Sequence, residues 1–130
     1  MPHKLLDAAT PTDSRGAEQF IALVADKLAA TDRLFRDCLA SDVPFIQKSG
    51  EYIFDGGGKR MRPALLLLCA RMLDRDGEEE VTYAAVVELI HTATLIHDDI
   101  IDHSALRRGR QTINELWGNN LTVLLGDWLY

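Results

Sequence analysis

An all-α antiparallel helical bundle is the fold class this sequence predicts, and three observations predict it. Apolar residues recur at steps of three and four along most of the chain, the period of an amphipathic helix. No stretch alternates apolar and polar residues as a half-buried strand would. Clusters of Pro, Gly, Ser and Asp separate the periodic segments.

Residues 1–15 are polar and carry Pro2, Pro11 and Ser14, which predicts a loose N-terminal arm ahead of one helical unit over 16–130. From Ala17 to Ala40 the apolar positions Phe20, Leu23, Val24, Leu28, Phe35 and Leu39 fit a single amphipathic helix. Ser41-Asp42-Val43-Pro44 resets the chain: Ser41 or Asp42 can cap, and Pro44 suits an early helical position. A short helix from Ile46 to Phe54 then stops at Asp55-Gly56-Gly57-Gly58. Pro63 opens the next helix, to about Leu73, and its nearly all-round apolarity predicts a central position. After the polar connection Asp74–Glu80, Thr82 is the expected N-cap of a long helix that ends near Asp102. A loop holds Arg107 to Arg110, and helical segments are expected over Thr112–Trp117 and Leu121–Tyr130. The last segment is strongly apolar and ends without a C-terminal signal, so the sequence is expected to stop in mid-domain.

The chain has 130 residues, 47% hydrophobic and 26% charged, enough for one globular helical domain or part of a larger one. A net charge of -6 argues against a nucleic-acid binder. The positive charge gathers instead in two knots, Lys59-Arg60-Met61-Arg62 and Arg107-Arg108-Gly109-Arg110, suited to a compact anion. Cys38 and Cys69 lie in apolar helical contexts and are expected to be reduced core residues of a cytoplasmic protein. The N-terminus has no signal-peptide h-region, and the longest apolar run, Ala64 to Ala70, is far below the ~20 residues of a membrane span. A soluble protein is expected.

His97-Asp98-Asp99-Ile100-Ile101-Asp102 is the most informative stretch. It places three carboxylates directly after an apolar run, where acids are costly to bury without a cation. Helical residues four apart project within roughly 40° of each other, so Asp98 and Asp102 share a face and Asp99 flanks it. Oxygen donors so placed suit Mg²⁺ shared with substrate phosphates; a solvated helix end is the plainer alternative. In Gly56-Gly57-Gly58-Lys59-Arg60-Met61-Arg62-Pro63, glycines feed a basic cluster into a helix start, where backbone N–H groups and positive potential favour an anion. The spacing is not that of a Walker A loop, and a helix cap with solvated basic residues is the alternative. Arg107 and Arg108 follow the aspartates closely. They could pair with them, or hold a diphosphate that metal ions bridge to Asp98 and Asp102. His91 lies seven residues before Asp98 and nearly in line with it. His97 and His103 flank the acids but point elsewhere and are read as structural.

Taken together, GGGKRMRP at 56–63, ELIHTATLIHDDIID at 88–102 and LRRGRQT at 106–112 resemble the trans-isoprenyl diphosphate synthases, the polyprenyl synthetase family, from about residue 17 onward. The resemblance implies an isoprenoid-synthase bundle, here incomplete, and head-to-tail prenyl transfer from an allylic diphosphate to isopentenyl diphosphate. It implies that Asp98, Asp99 and Asp102 coordinate Mg²⁺ and that Arg107 touches the allylic diphosphate, these four being the catalytic set. Lys59, Arg62, His91 and Arg108 would hold isopentenyl diphosphate. Ala93 and Thr94 match the positions that floor the product pocket; a small Ala93 would leave it open, as in synthases of longer polyprenyl chains. The resemblance further implies a homodimer at full length and peripheral membrane association through the product. The second aspartate-rich motif and the later lysines of the family are absent from this sequence, so little activity is expected of the 130 residues alone. A non-catalytic helical subunit that binds diphosphates or a partner synthase is the alternative, and a terpene cyclase is disfavoured by Lys59 and Arg62.

Overall fold

The structure, a computed structural model, describes residues 14–130; the predicted arm over 1–15 lies almost wholly outside them. The fold is all-α. In order it comprises α1 (Ser14–Ala22), α2 (Ala25–Leu39), α3 (Pro44–Asp55), α4 (Met61–Met72) and α5 (Glu79–Ile101). A two-stranded hairpin follows, β1 (Leu106–Arg107) and β2 (Arg110–Gln111), and then α6 (Ile113–Trp117) and α7 (Asn119–Leu129). Among the described residues no helix is long and apolar enough to cross a membrane.

α5 is the axis of the molecule, packed against α2, α4 and α7. Its small buried residues explain the close approach. Ala84 lies with Val24 and Leu67 in one cluster, and Ala93 with Phe35, Leu39, Ile96, Leu125 and Leu129 in the other. The expectation that the Pro63 helix would be central is therefore corrected. α4 buries Pro63, Ala64 and Leu67 but leaves Leu65 63% exposed, because α5 covers only one of its faces.

Other sequence expectations shift for identifiable reasons. The helix expected over 17–40 breaks at Leu23 and Val24, whose amides turn back to Phe20 and Ile21. The Leu23 carbonyl, freed from the helical ladder, accepts a 2.6 Å hydrogen bond from Arg71 of α4. α5 starts at Glu79, one turn before the expected Thr82 cap. Glu79 and Glu80 place negative charge in its first turn, where the helix dipole favours it. Lys27 reaches across from α2 to the Gly77 carbonyl (2.9 Å), Asp76 (2.9 Å) and Glu80 (3.7 Å). The hydrogen bond and charge of Lys27 hold the Asp76 carboxyl below its usual range. The Glu80 carboxyl is lowered mainly by its own backbone N–H.

Pro44 opens α3 as expected, but Ser41 accepts from the Val43 amide rather than capping the helix. Both cysteines are exposed, a correction to their expected burial. α2 turns Thr31, Phe35 and Leu39 inward at a spacing of four, which leaves Cys38 outside, and Cys69 falls off the Ala64–Leu67 face of α4. The arginine loop is a hairpin, with Arg107 paired to Arg110 across a turn in which Arg108 (φ 52) and Gly109 (φ 77) are both left-handed. That is the type I′ geometry matching strand twist, and Gly109 supplies the position costliest for other residues.

Candidate active site

The two basic knots converge. α3 ends in a glycine turn with Gly57 left-handed at φ 66, and α4 begins after a non-glycine residue in the same conformation, Arg60 at φ 51. The loop between them and the hairpin border a cavity of about 310 Å³. Its polar rim carries six cations (Lys59, Arg60, Arg62, Arg107, Arg108 and Arg110) but only the carboxylates of Glu88 and Asp99. Phe35, Ile53, Leu95, Ile96 and Ile113 form its apolar wall.

The cations divide into two groups. Arg60 turns inward, its side chain only 12% exposed, and donates to Asp32 of α2 at 2.7 Å and to Glu88 of α5 at 3.1 Å. Its guanidinium also lies over the rings of Phe35 and Phe54. Arg107 grips Asp99 with Nη2 at 2.7 Å and Nε at 3.0 and 3.1 Å. Lys59, Arg62, Arg108 and Arg110 pair with no carboxylate among the described residues. Arg110 instead stacks on Tyr52 and donates to that residue's carbonyl at 3.2 Å, while the Tyr52 hydroxyl donates to the Gln111 carbonyl at 2.7 Å. The hairpin is thereby fastened to the end of α3. Gly56 has ordinary helical φ, and a Cβ there would come within 2.7 Å of the Arg110 guanidinium, which would have to shift.

Arg62 and His91 meet at 3.0 Å. An arginine can only donate, so Nε2 of a neutral imidazole accepts. Burial, and then the positive charge of Arg62, push the His91 pKa below its usual value, consistent with that neutral form.

The aspartates divide as well. Asp99 is buried against Arg107, so the pairing weighed from sequence is realised for this one acid. Asp98 and Asp102 are exposed, lie outside the cavity and have no cationic partner among the described residues. They occupy the end of α5, where the dipole disfavours anions and the last turn holds no basic residue; both attract the Arg107 guanidinium, which pairs with Asp99 instead. Among the described residues no three His, Cys, Asp or Glu side chains converge as a protein-only metal site.

Asp98 and Asp102 continue a line of exposed residues four apart: Val86, Ile90, Thr94, Asp98 and Asp102. This line is apolar at its start and acidic at its end. Thr94 belongs to it, but Ala93 does not, being fully buried in the core between α2 and α7. Ala93 and Thr94, expected to floor the product pocket, thus differ in exposure. His97 bonds to the Val123 carbonyl of α7 at 3.1 Å, in keeping with a structural role, and His103 is an exposed left-handed residue just past the helix.

Sequence reasoning missed the inward role of Arg60 and the roles of Asp32, Glu88, Tyr52 and Arg110. One signal was available: Glu88 interrupts an apolar helix segment, and a buried acid needs a cation nearby.

These features define a class. The polyprenyl synthetase model matches residues 43–130, more than half of the chain, and the chain belongs to that family. Among its relatives, octaprenyl diphosphate synthase of Escherichia coli is 45% identical over 113 residues, covering 87% of this chain and 35% of that protein. All-trans-nonaprenyl-diphosphate synthase (geranyl-diphosphate specific) of Rhodobacter capsulatus is 40% identical, over 86% of this chain and 35% of its own length. The crystal structure of a Caulobacter crescentus polyprenyl synthase, complexed with calcium and isoprenyl diphosphate, superposes with a TM-score of 0.82 at 40% identity. That match covers 86% of this chain and 34% of that one. The chain therefore spans about a third of the length of these relatives.

Proposed function

We propose that this chain carries the isopentenyl diphosphate site and the first acidic site of a trans-prenyltransferase. The reaction joins isopentenyl diphosphate head to tail to an allylic diphosphate and yields a polyprenyl diphosphate. One observation carries the reading: a cavity whose rim holds four cations without a carboxylate partner among the described residues lies near the end of an exposed apolar stripe that finishes in Asp98 and Asp102, likewise without an ion pair there. The cations suit one diphosphate. The stripe suits an amphiphile with an anionic head and an apolar tail.

Lys59, Arg62 and Arg108 hold the diphosphate of isopentenyl diphosphate, and neutral His91 keeps the Arg62 fork aimed at it. Asp98 and Asp102 fit a divalent cation, Mg²⁺ in our reading: they are paired oxygen donors of the kind that ion shares with substrate phosphates, at a helix end lacking positive charge. When bound, that ion supplies charge to stabilise the departing pyrophosphate. Asp99 acts beside them by fixing Arg107, whose remaining donors face the allylic diphosphate. The allylic C–O bond breaks, the isopentenyl double bond forms the new C–C bond, and a proton is lost. Phe35, Leu95 and Ile96 keep water from the reacting carbons. Small Ala93 and Thr94, with Ile90 and Val86 further along the exposed stripe, favour a long product. The same proposal includes a cytoplasmic homodimer that meets the membrane peripherally through its product.

Incubation of the protein from its complete reading frame with farnesyl diphosphate, labelled isopentenyl diphosphate and Mg²⁺ is the test. Chromatography should show products extended by several isoprene units. Substrate binding with no labelled product would instead favour a non-catalytic subunit. A relative 38% identical is named heptaprenyl diphosphate synthase component 2, from Geobacillus stearothermophilus, a name that points to a synthase of more than one component.

A further inference from the structure

We propose that Arg60 is the positioning residue of the isopentenyl diphosphate site: its inward ion pairs hold the loop in the conformation that turns Lys59 and Arg62 to the cavity. This rests on the reading that those two residues hold isopentenyl diphosphate.

Four observations support it. Arg60 is left-handed at φ 51, a conformation costly for a residue with a side chain and retained only where its surroundings enforce it. The enforcement is visible: separate edges of one guanidinium bind carboxylates on two helices, Asp32 on α2 and Glu88 on α5. Its guanidinium also lies over the adjacent rings of Phe35 and Phe54, 5.0 and 5.7 Å from their centres, a combination of planar fork and stacking that the point charge of a lysine does not match. Its charge is already balanced by two acids, whereas Lys59 and Arg62 pair with none among the described residues. Arg60 thus differs from Lys59 and Arg62 in what it does, although the sequence presents the three as one basic run. Turning Arg60 outward would break both ion pairs and leave nothing to offset the cost of the left-handed backbone that redirects the chain into α4.

The test compares steady-state kinetics of Arg60→Met, Arg60→Gly, Asp32→Asn and Lys59→Ala in the protein from the complete reading frame. Arg60→Met should raise KM for isopentenyl diphosphate roughly tenfold to hundredfold, the scale for displacing a binding group by about an ångström. KM for the allylic diphosphate should stay unchanged. Arg60→Gly should behave like Arg60→Met, since glycine keeps the left-handed backbone but removes the anchors; wild-type behaviour would overturn the proposal. Asp32→Asn removes one half-exposed anchor and should raise the same KM by less. If Arg60→Met does not fold, an unchanged KM in Asp32→Asn overturns the proposal alone. A parallel rise in both KM values, or a loss of thermal stability without a KM split, would mark Arg60 as merely structural. Lys59→Ala separates the two failures. If it raises KM for isopentenyl diphosphate while Arg60→Met does not, this proposal falls and the reading of the cavity stands. If neither does, the reading of the cavity falls and takes this proposal with it.

Discussion

Asp98→Asn should strengthen the fold while disabling the chemistry, and Asp99→Asn should weaken the fold directly. Asp98 is exposed, has no cationic partner among the described residues, and sits in the last turn of α5 with Asp102 four residues on. Removing its charge relieves a dipole conflict of about 0.3–1 kcal/mol. It also relieves a like-charge neighbour worth about 0.2–0.5 kcal/mol. Less the attraction to Arg107 that the change gives up, a gain of up to about 1 kcal/mol follows for the metal-free protein. Asp99 is the opposite case. Its side chain is 9% exposed and accepts three contacts from Arg107, which is 40% exposed. A hydrogen bond between charged groups is worth about 1.5–3 kcal/mol. Solvent screening at the arginine discounts the fork, leaving a loss of about 1–3 kcal/mol for Asn. Urea unfolding followed by circular dichroism, in EDTA at neutral pH, measures both values. Prenyl transfer with Mg²⁺ should fall by about a hundredfold or more in Asp98→Asn, the scale for deleting one element of charge stabilisation. A loss of 1 kcal/mol or more in Asp98→Asn, or a neutral Asp99→Asn, would refute this division of the aspartates.

His91 is held below its ordinary pKa, so the unfolded chain takes up the proton first as pH falls. Its contribution to stability is present above the unfolded value and is lost as pH drops through the folded one, which His91→Gln should flatten in pH-dependent unfolding. Binding of isopentenyl diphosphate should raise that pKa, read from the imidazole resonances by NMR; no rise would place the anion elsewhere. Gly50→Ala brings a Cβ to 2.8 Å from the Leu39 carbonyl, a backbone atom that cannot step aside, so overpacking of about 1–3 kcal/mol should exceed the helix-propensity gain. Thermal unfolding checks this, and a stabilised Gly50→Ala would show that α2 and α3 are not locked there. The 130-residue chain alone should show negligible prenyl transfer under conditions where the product of the complete reading frame turns over; comparable rates would overturn that expectation.

Much of the fold could be read from residue spacing because burial follows period. Phe20, Leu28 and Leu39 announce helix, Pro44 and the glycine triplet announce breaks, and the long helix after Glu80 follows from its apolar run. The misplaced features turn on interactions across the fold. Nothing near Leu23 in sequence shows that Arg71, far along the chain, takes its carbonyl and lets the first helix break. Nothing near Thr82 shows that Lys27 secures the turn before α5. The two-residue ladder at Arg107 and Arg110 is too short to leave an alternating pattern.

The same logic separates the charged residues. Sequence groups Lys59 with Arg60, and Asp98 with Asp99, because each pair shares charge and position. The fold splits both: one member turns inward to an opposite charge, and the other stays uncompensated at the surface. The inward members cost desolvation and repay it only in their ion pairs, so their loss should be read first in geometry and stability. The outward members carry charge that no ion pair among the described residues offsets, and an external anion or cation can relieve it. Stability does not account for Asp98 and Asp102, which form no ion pair among the described residues at the negative end of α5. Their placement at the end of an apolar stripe is the physical ground for expecting a charged, tailed ligand there.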